Sequence, residues 1–561
     1  MTRLSTGFLC FLVAAIALWL GWRLTQPGGG EETGSTRSVP AAPALHTSAH
    51  SGAEVDSREA LDSETPELSA SVPASHERTP AAVAEVVPGE NLLTFRSREG
   101  FQAFLDRARR QGIPILGVVD KLLGVRVGGP RSAIDELLKG FPEGEASVES
   151  NFFVRLPDSQ DTPEKRAELG KVLPFGDQAL NWLGVPSGSN SNWGQGVTIA
   201  VLDTAVDRSH PTFGKGQIAV IQIEGGGANS GSQAHGTAVA SILSGRDSQT
   251  RGVAPGARLL SVPLVGADGS TTTLDLAAAI LAASDAGANI INISLGGYGD
   301  SQVLREAVSY ATRNNVLIVA AAGNESYGIL AYPARYQDVL AVGAVDGYGQ
   351  QLPFSNSGQT LGLMAPGLDV QVAAGQGEVS YFSGTSASAP FVSGAVAAIL
   401  SESGVRGLAP RQAAELLLAH ADEAGTPGSD SAYGRGILDV GRAMRSNQPG
   451  IVDAAIASVQ PVADSVGNLQ LQVIVENRGT APLQNLLLGV ALDGSSSNRE
   501  LLVQQLKPDA IGVFEIPLPS GLKGSGEVLR FRTEITRLGS DIQPGNNVRQ
   551  GIIRFSPPPA K

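Results

Sequence analysis

The 561-residue chain predicts an α/β domain with a mostly parallel sheet, a small α+β unit before it and an antiparallel β-sandwich behind it. Three observations carry that prediction. Over 185–449, near-continuous apolar runs (VTIAVLD, ANIINISL, VLIVAAAGN, DVLAVGAV) alternate with segments of helical period (TLDLAAAILAASDAG, SQVLREAVSYATRNN). Strands buried on both faces need such runs, and strand–helix alternation is how parallel strands are joined. Over 90–156 the order reads β-α-β-β-α-β, and over 450–556 helix formers give way to short alternating strands.

Taken from the start, the first element is GFLCFLVAAIALWLGW, sixteen uncharged residues between Arg3 and Arg23. A membrane span needs about 17–20 apolar residues, and Trp19 and Trp22 suit a membrane interface. No A-x-A cleavage pattern follows closely. Residues 1–26 are expected to be an uncleaved signal-anchor, with a cleaved signal peptide as the alternative. Either one exports the remainder to the periplasmic or extracellular face, anchored to the membrane in the first case. Cys10, the single cysteine, lies inside this run, so no intrachain disulfide can form.

Residues 27–89 hold ten acidic residues and three arginines, a net −7 (3 − 10) out of −13 for the chain. Rich in Ala, Pro, Ser, Thr and Glu and without a period, the stretch reads as a disordered acidic linker. With the whole chain acidic, nucleic-acid binding has no electrostatic footprint. At 42% apolar and 17% charged, the remainder fits globular domains.

In the 90–156 unit, ENLLTFRS, IPILGVV, KLLGVRVGG and EASVESNFFVRLP read as strands, with GFQAFLDRARRQG and PRSAIDELLKGF as helices. That order is the ferredoxin-like pattern. A linker, 157–184, leads to the α/β domain. In such sheets the reactive crevice lies at the carboxyl ends of the strands. Behind the domain, LQLQVIVEN, LLLGVAL, GVFEIPL, VLRFRTEIT and VRQGIIRF alternate between turns, the pattern of a β-sandwich of about seven strands, followed by a tail, 557–561.

Four polar residues fall at strand exits and helix starts of the α/β domain. Asp203 ends VTIAVLD, His235 opens the helix of AHGTAVASIL, Asn324 follows VLIVAAAG, and Ser386 begins a helix apolar nearly all round. A hydroxyl at a buried helix N-terminus has outward-pointing N–H groups and the positive dipole end beside it. Pro390 is expected to sit in that first turn without losing a bond. Together the four form an acyl-transfer constellation. Ser386 would be the nucleophile, His235 the base and Asp203 its orienting partner, with Asn324 and the Ser386 N–H binding the oxyanion. The order Asp…His…Ser differs from that of α/β-hydrolases, and Gly384-Thr385-Ser386-Ala387-Ser388 lacks the last glycine of their elbow.

The blocks VTIAVLDTAVDRSHP, AHGTAVA, NISLGG, AAAGNE and SGTSASAP, in this order across about 265 residues, resemble those of the subtilisin-like serine proteases, the subtilase or S8 family. The resemblance implies a three-layer subtilisin-like fold, Asp203, His235 and Ser386 as a triad, and Asn324 in the oxyanion hole. It implies that Ser294, Leu295, Gly296 and Gly297 pair with an extended peptide substrate. The 90–156 unit resembles the family's inhibitor propeptide, with its processing site between 156 and 185. The 450–556 segment resembles a CARDB-type, immunoglobulin-like sandwich, a surface for protein partners.

Two departures stand out: Ala205 where the family usually has Gly, and Ala238 where many members have a second His. A turn with positive φ would be strained at Ala205. No cofactor or metal is expected; structural calcium has no supporting ligand spacing, and the 244–252 loop is shorter than in calcium-binding members. His210, near Asp203, is the rival base, and in the family the His-Pro pair there is structural; His420 reads as a helix-end residue, and His46, His50 and His76 lie in the linker. Glu325, beside Asn324, is a candidate for favouring basic or polar side chains at the pocket rim. The expected function is an exported serine endopeptidase made as a zymogen. The alternatives are a catalytically weak scaffold, or a transpeptidase using the same acyl-enzyme.

Overall fold

A computed structural model describes residues 67–69, 84–157, 163–169, 171–186, 188, 190–223, 233–402, 407–493, 499–518 and 528–554. The apolar run at 7–22, most of the acidic linker and the tail lie outside the described residues. Among the described residues no helix is long and apolar enough to cross a membrane.

After β1 (Glu67–Ser69) comes a compact unit: β2 (Val86–Phe95), α1 (Arg98–Arg110), β3 (Ile115–Val119), β4 (Gly124–Gly128), α2 (Arg131–Leu137) and β5 (Ala146–Arg155). Ser97 starts α1 by accepting the Gly100 N–H, and the helix buries Phe101, Phe104, Leu105 and Ala108 at helical spacing. These meet Leu93, Phe95, Val125 and Val127 on one face of the antiparallel sheet β3-β4-β2-β5. Two described segments of the expected 27–89 linker are strands. Residues 67–69 are a strand and β2 begins at Val86, because Val86 pairs with Phe152 across the sheet.

The 157–184 linker is also less plain than expected, carrying α3 (Pro163–Glu168) and α4 (Ala179–Trp182). The α/β domain then runs β6 (Thr198–Asp203), β7 (Ile218–Val220), α5 (Ala234–Ser244), β8 (Arg258–Pro263), β9 (Ser270–Thr272), α6 (Thr273–Asp285), β10 (Ile290–Ile293) and α7 (Gln302–Arg313). It continues with β11 (Leu317–Ala321), β12 (Val339–Val345), β13 (Leu361–Pro366), β14 (Val370–Ala373), β15 (Val379–Phe382), α8 (Thr385–Ser401), α9 (Pro410–Ala419) and α10 (Val440–Arg445).

Seven strands form one parallel sheet, in the order β13-β12-β11-β10-β6-β8-β7. Alternate residues of each strand feed opposite cores. Ile199 and Val201 pack with Val239, Leu243 and Val396 of α5 and α8. Ala200 and Leu202 pack with Ile280 and Val308 of α6 and α7. Three layers result. The second core also receives Leu92, Val119 and Val154, so the N-terminal sheet lies face-on against α6 and α7.

The last seven strands are β16 (Ala454–Ala463), β17 (Leu469–Asn477), β18 (Leu483–Leu492), β19 (Arg499–Leu506), β20 (Ile511–Pro517), β21 (Val528–Thr536) and β22 (Val548–Arg554). Sheets β16-β17-β20 and β22-β21-β18-β19 close on a shared core containing Leu471, Val473, Leu488, Phe531 and Ile553. On its free edge β22 pairs in parallel with β1, Leu68 opposite Ile553.

Candidate active site

The carboxyl edge of the sheet gathers the four singled-out residues. Asp203, the last residue of β6, is buried and accepts the Thr204 N–H through Oδ1 at 2.7 Å. The same oxygen lies 2.8 Å from Nδ1 of His235, in the first turn of α5. This contact makes Nδ1 the protonated nitrogen and directs Nε2 away from the carboxylate. The ring meets Phe382 edge-on, with centroids 5.1 Å apart. Thr204 Oγ1 accepts the Gly236 N–H at 2.8 Å, tying the exit of β6 to the start of α5. Ala205 is absent from the positive-φ residues, so the methyl in place of the family's glycine causes no strain.

Ser386 is the second residue of α8, and its hydroxyl donates to the Ser294 carbonyl at 3.0 Å. Activation by His235 requires that hydroxyl to swing across to Nε2. Pro390 lies in the second turn of α8, not the first as expected. It therefore removes the N–H that would have met the Ser386 carbonyl. The Ser294 hydroxyl supplies the missing donor at 3.2 Å, and itself accepts from Asn292 Nδ2 at 3.1 Å.

Asn324 lies just beyond β11 and accepts through Oδ1 from the Thr385 N–H and hydroxyl, at 2.9 and 2.8 Å. With the oxygen so engaged, Nδ2 is the end that can donate toward a substrate carbonyl. A Cβ on Gly384 would come within 2.7 Å of Nδ2, and the φ of Gly384 is +128°, so only glycine fits this approach.

Of the four expected cleft residues, Gly296 bonds in both directions with Arg155 at the end of β5, at 2.9 and 3.0 Å. Gly297 bonds in the same way to Tyr332. Leu295, Gly296 and Gly297 line a cavity of about 210 Å³, while Ser294 contributes its carbonyl to Ser386. A second cavity of about 270 Å³ lies over His235, Asn324 and Ser386. Leu156 and Pro157 border both.

The rival residues are occupied elsewhere. The buried His210 bonds the Glu378 carbonyl through Nε2 at 3.0 Å and takes the Thr212 N–H on Nδ1 at 3.2 Å. His420 ends α9, with Nδ1 3.1 Å from Asp509. Two further serines of α8 are engaged as well, Ser388 donating to the Ala365 and Pro366 carbonyls and Ser393 to Asn292 Oδ1. His46, His50 and His76 lie outside the described residues, and among those described no His, Cys, Asp and Glu cluster could hold a metal. Three contributors escaped the reading of the sequence: Thr385, which anchors Asn324, and Tyr298 and Asn356, whose hydroxyl and Nδ2 donate to Oε2 of Glu325, the residue after Asn324. Asn356 lies eleven residues beyond β12, in a loop where its N–H meets the Gly323 carbonyl at 3.0 Å, and no local period or motif marks that contact.

The sequence matches the subtilase family model over residues 194–436. It is 31% identical over 379 residues to the thermophilic serine proteinase of Bacillus sp. (strain AK1), spanning 66% of this chain and 90% of that protein. The chain belongs to the subtilase family. With Subtilisin Savinase of Lederbergia lenta this subtilase shares 34% identity over 256 residues, 45% of this chain and 92% of the relative. The epidermin leader peptide processing serine protease of Staphylococcus aureus shares its fold, with TM-score 0.54 and 21% identity over 65% of this chain and all of that one. This subtilase is a serine endopeptidase.

Proposed function

We propose that this subtilase hydrolyses peptide bonds through an acyl-enzyme on Ser386, and that it is made as an exported zymogen. The observation that carries the catalytic reading is the 2.8 Å contact to the buried Asp203 from His235, which lines one cavity with Ser386 and Asn324. Ser386 Oγ adds to the scissile carbonyl as His235 Nε2 takes its proton. Asp203 holds the Nδ1–H and stabilises the imidazolium. Asn324 Nδ2 and the Ser386 N–H receive the oxyanion, with the positive end of α8 behind them. His235 returns the proton to the leaving amine, and water then repeats the sequence to free the acid.

The zymogen reading rests on β5. Its end is hydrogen-bonded between two segments of the domain it precedes, Arg155 to Gly296 beyond β10 on one side and Leu156 N to the carbonyl of Gly269, just before β9, 3.0 Å, on the other. That is how an extended substrate binds by strand addition. Continuing the antiparallel register from Arg155–Gly296 sets Pro157 opposite Ser294, so the bond after Pro157 is the candidate processing site.

Ser386→Ala is expected to abolish casein hydrolysis and leave the chain unprocessed. In the active protein, N-terminal sequencing is expected to find a new terminus after Pro157. Full casein hydrolysis by the Ser386→Ala protein would overturn the assignment. A fluorophosphonate probe separates this enzyme from a weak scaffold, because only an activated serine reacts. Product masses on a defined peptide separate hydrolysis from transpeptidation.

A further inference from the structure

We propose that β1 is a clip: the N-terminal fragment cut off after Pro157 stays on the mature chain because Glu67–Ser69 remain paired with β22 of the C-terminal sandwich. The inference rests on the zymogen reading above and goes beyond it, because it gives the sandwich a partner, the chain's own cleaved fragment.

The sheet order β1-β22-β21-β18-β19 puts β1 outermost. It runs parallel to β22, with Glu67, Leu68 and Ser69 opposite Ile552, Ile553 and Arg554. A sandwich strand left at an edge presents unpaired N–H and C=O groups that can take another strand. The sequence of β22 suits such a neighbour. Ile553 enters the shared core, and Ile552, which the alternation of a strand turns to the opposite face, is only 4% exposed. Consecutive buried isoleucines mark a strand covered on both faces, the pattern of an inner strand and not of a solvent edge. The pairing is also not a by-product of a local turn. Hairpins join antiparallel neighbours, whereas β1 and β22 are parallel and come from opposite ends of the chain.

The same fragment grips the α/β domain at a second place. Leu92, Val119 and Val154 enter the core beneath α6 and α7, Arg126 Nη1 meets Asp275 Oδ2 at 3.0 Å, and Glu149 accepts the Gln302 N–H at 3.0 Å. Residues 70–85 join this unit to β1, a tether that spans at most about 55 Å. Cutting after Pro157 breaks the covalent route from the fragment to the catalytic domain and touches neither contact. Two contacts on one tether act as a bivalent ligand. When the N-terminal sheet leaves α6 and α7, β1 keeps it within reach, and rebinding competes with escape. Each return brings Leu156 and Pro157 back to the cavity over His235 and Ser386, so the clip also delays the freeing of the active site. The fragment carries the apolar run at 7–22, and a clipped protease stays with that run.

The experiment follows the fragment after self-processing, on mature chain captured through a C-terminal tag. The comparison is with the double variant Leu68→Pro, Ser69→Pro. Neighbouring N–H groups of a strand point to opposite sides, so the two prolines together remove a donor facing β22. The fragment is expected to leave the variant ~10-fold faster than the parent, the effect of losing one or two main-chain hydrogen bonds. The lag before full peptide hydrolysis is expected to shorten with it. Once the fragment has gone, kcat/KM on one peptide is expected to be equal in the two proteins. A second arm traps the pairing in a Cys10→Ser background. Ser69→Cys with Arg554→Cys stands at the spacing of paired strands and is expected to form a disulfide, so that the processed chain runs at its uncut mass until reduced. Ser69→Cys with Gln550→Cys, about 13 Å out of register, is expected not to. A fragment that leaves parent and variant at one rate overturns the clip while processing stands. So does a matched cysteine pair that crosslinks no more than the offset pair. A chain that is never cut overturns the zymogen reading, and retention by the clip with it.

Discussion

Asn324 is anchored by its oxygen, since Thr385 donates to Oδ1 twice, from N and from Oγ1. That pairing settles the orientation of the amide, which residue type alone leaves open. Two substitutions separate the donor from its anchor. Asn324→Ala removes the donor and is expected to lower kcat ~10²–10³-fold with little change in KM, a range taken from subtilisin itself. Thr385→Val keeps the donor and one anchoring bond, the Thr385 N–H. Its expected loss in kcat is ~5-fold, in line with about 1 kcal/mol for one neutral hydrogen bond. Equal losses in the two variants, by steady-state kinetics on one peptide, would make Thr385 more than a positioning residue.

Between elements, the join that matters runs from β10 to α8. Ser393 Oγ donates to Asn292 Oδ1 at 2.8 Å, Asn292 Nδ2 to Ser294 Oγ, and Ser294 Oγ to the carbonyl that Pro390 leaves without its helical partner. Ser294→Ala orphans that buried carbonyl and is expected to cost about 1–3 kcal/mol in urea unfolding. In a Pro390→Ala background the restored N–H can take its place, so the same substitution is expected to cost less. Additive losses would exclude the compensation. This join also shows where the sequence was legible. Asp203, His235, Asn324 and Ser386 stand in short blocks at element ends, where one residue type has one local geometry to satisfy. Pro390 was legible as a proline but misplaced by a turn, because its tolerance depends on Ser294, ninety-odd positions upstream in the chain and adjacent only in the fold. Tyr298 and Asn356 were illegible for the same reason: each acts through Glu325, and no local period marks a contact between loops. The strand at 67–69 was hidden in low-complexity sequence, since its partner β22 lies at the far end of the chain.

Across the whole molecule, the C-terminal sheets are fastened to the α/β domain by buried charge. Arg442 of α10 meets Glu476 of β17 at 2.5 Å, Asp422 at 3.1 Å and Asp509 at 2.9 Å, while Arg478 meets Asp422 at 2.7 Å and Glu476 at 2.9 Å. Removing one member of such a set strands the others in a desolvated site, so the two domains resist separation. The set also makes its surroundings costly for further negative charge. Glu423, whose N–H donates to Glu476 at 3.1 Å, has its carboxyl pushed up to about 7, mainly by burial and further by the Glu476 and Asp430 charges. Between the ordinary value of 4.5 and about 7, the folded chain keeps that proton while the unfolded chain releases it. Stability from this group is therefore greatest at low pH and falls as pH rises through that window. Glu423→Gln cannot titrate and retains an acceptor for the Gly428 N–H, which the glutamate takes at 3.2 Å. In the Ser386→Ala background, which prevents self-digestion during heating, the Glu423→Gln variant is expected to match the parent's Tm near pH 4.5 and to exceed it progressively up to pH 8. A Tm difference that stays constant across that range would mean that the carboxyl ionises in the folded protein as freely as in water.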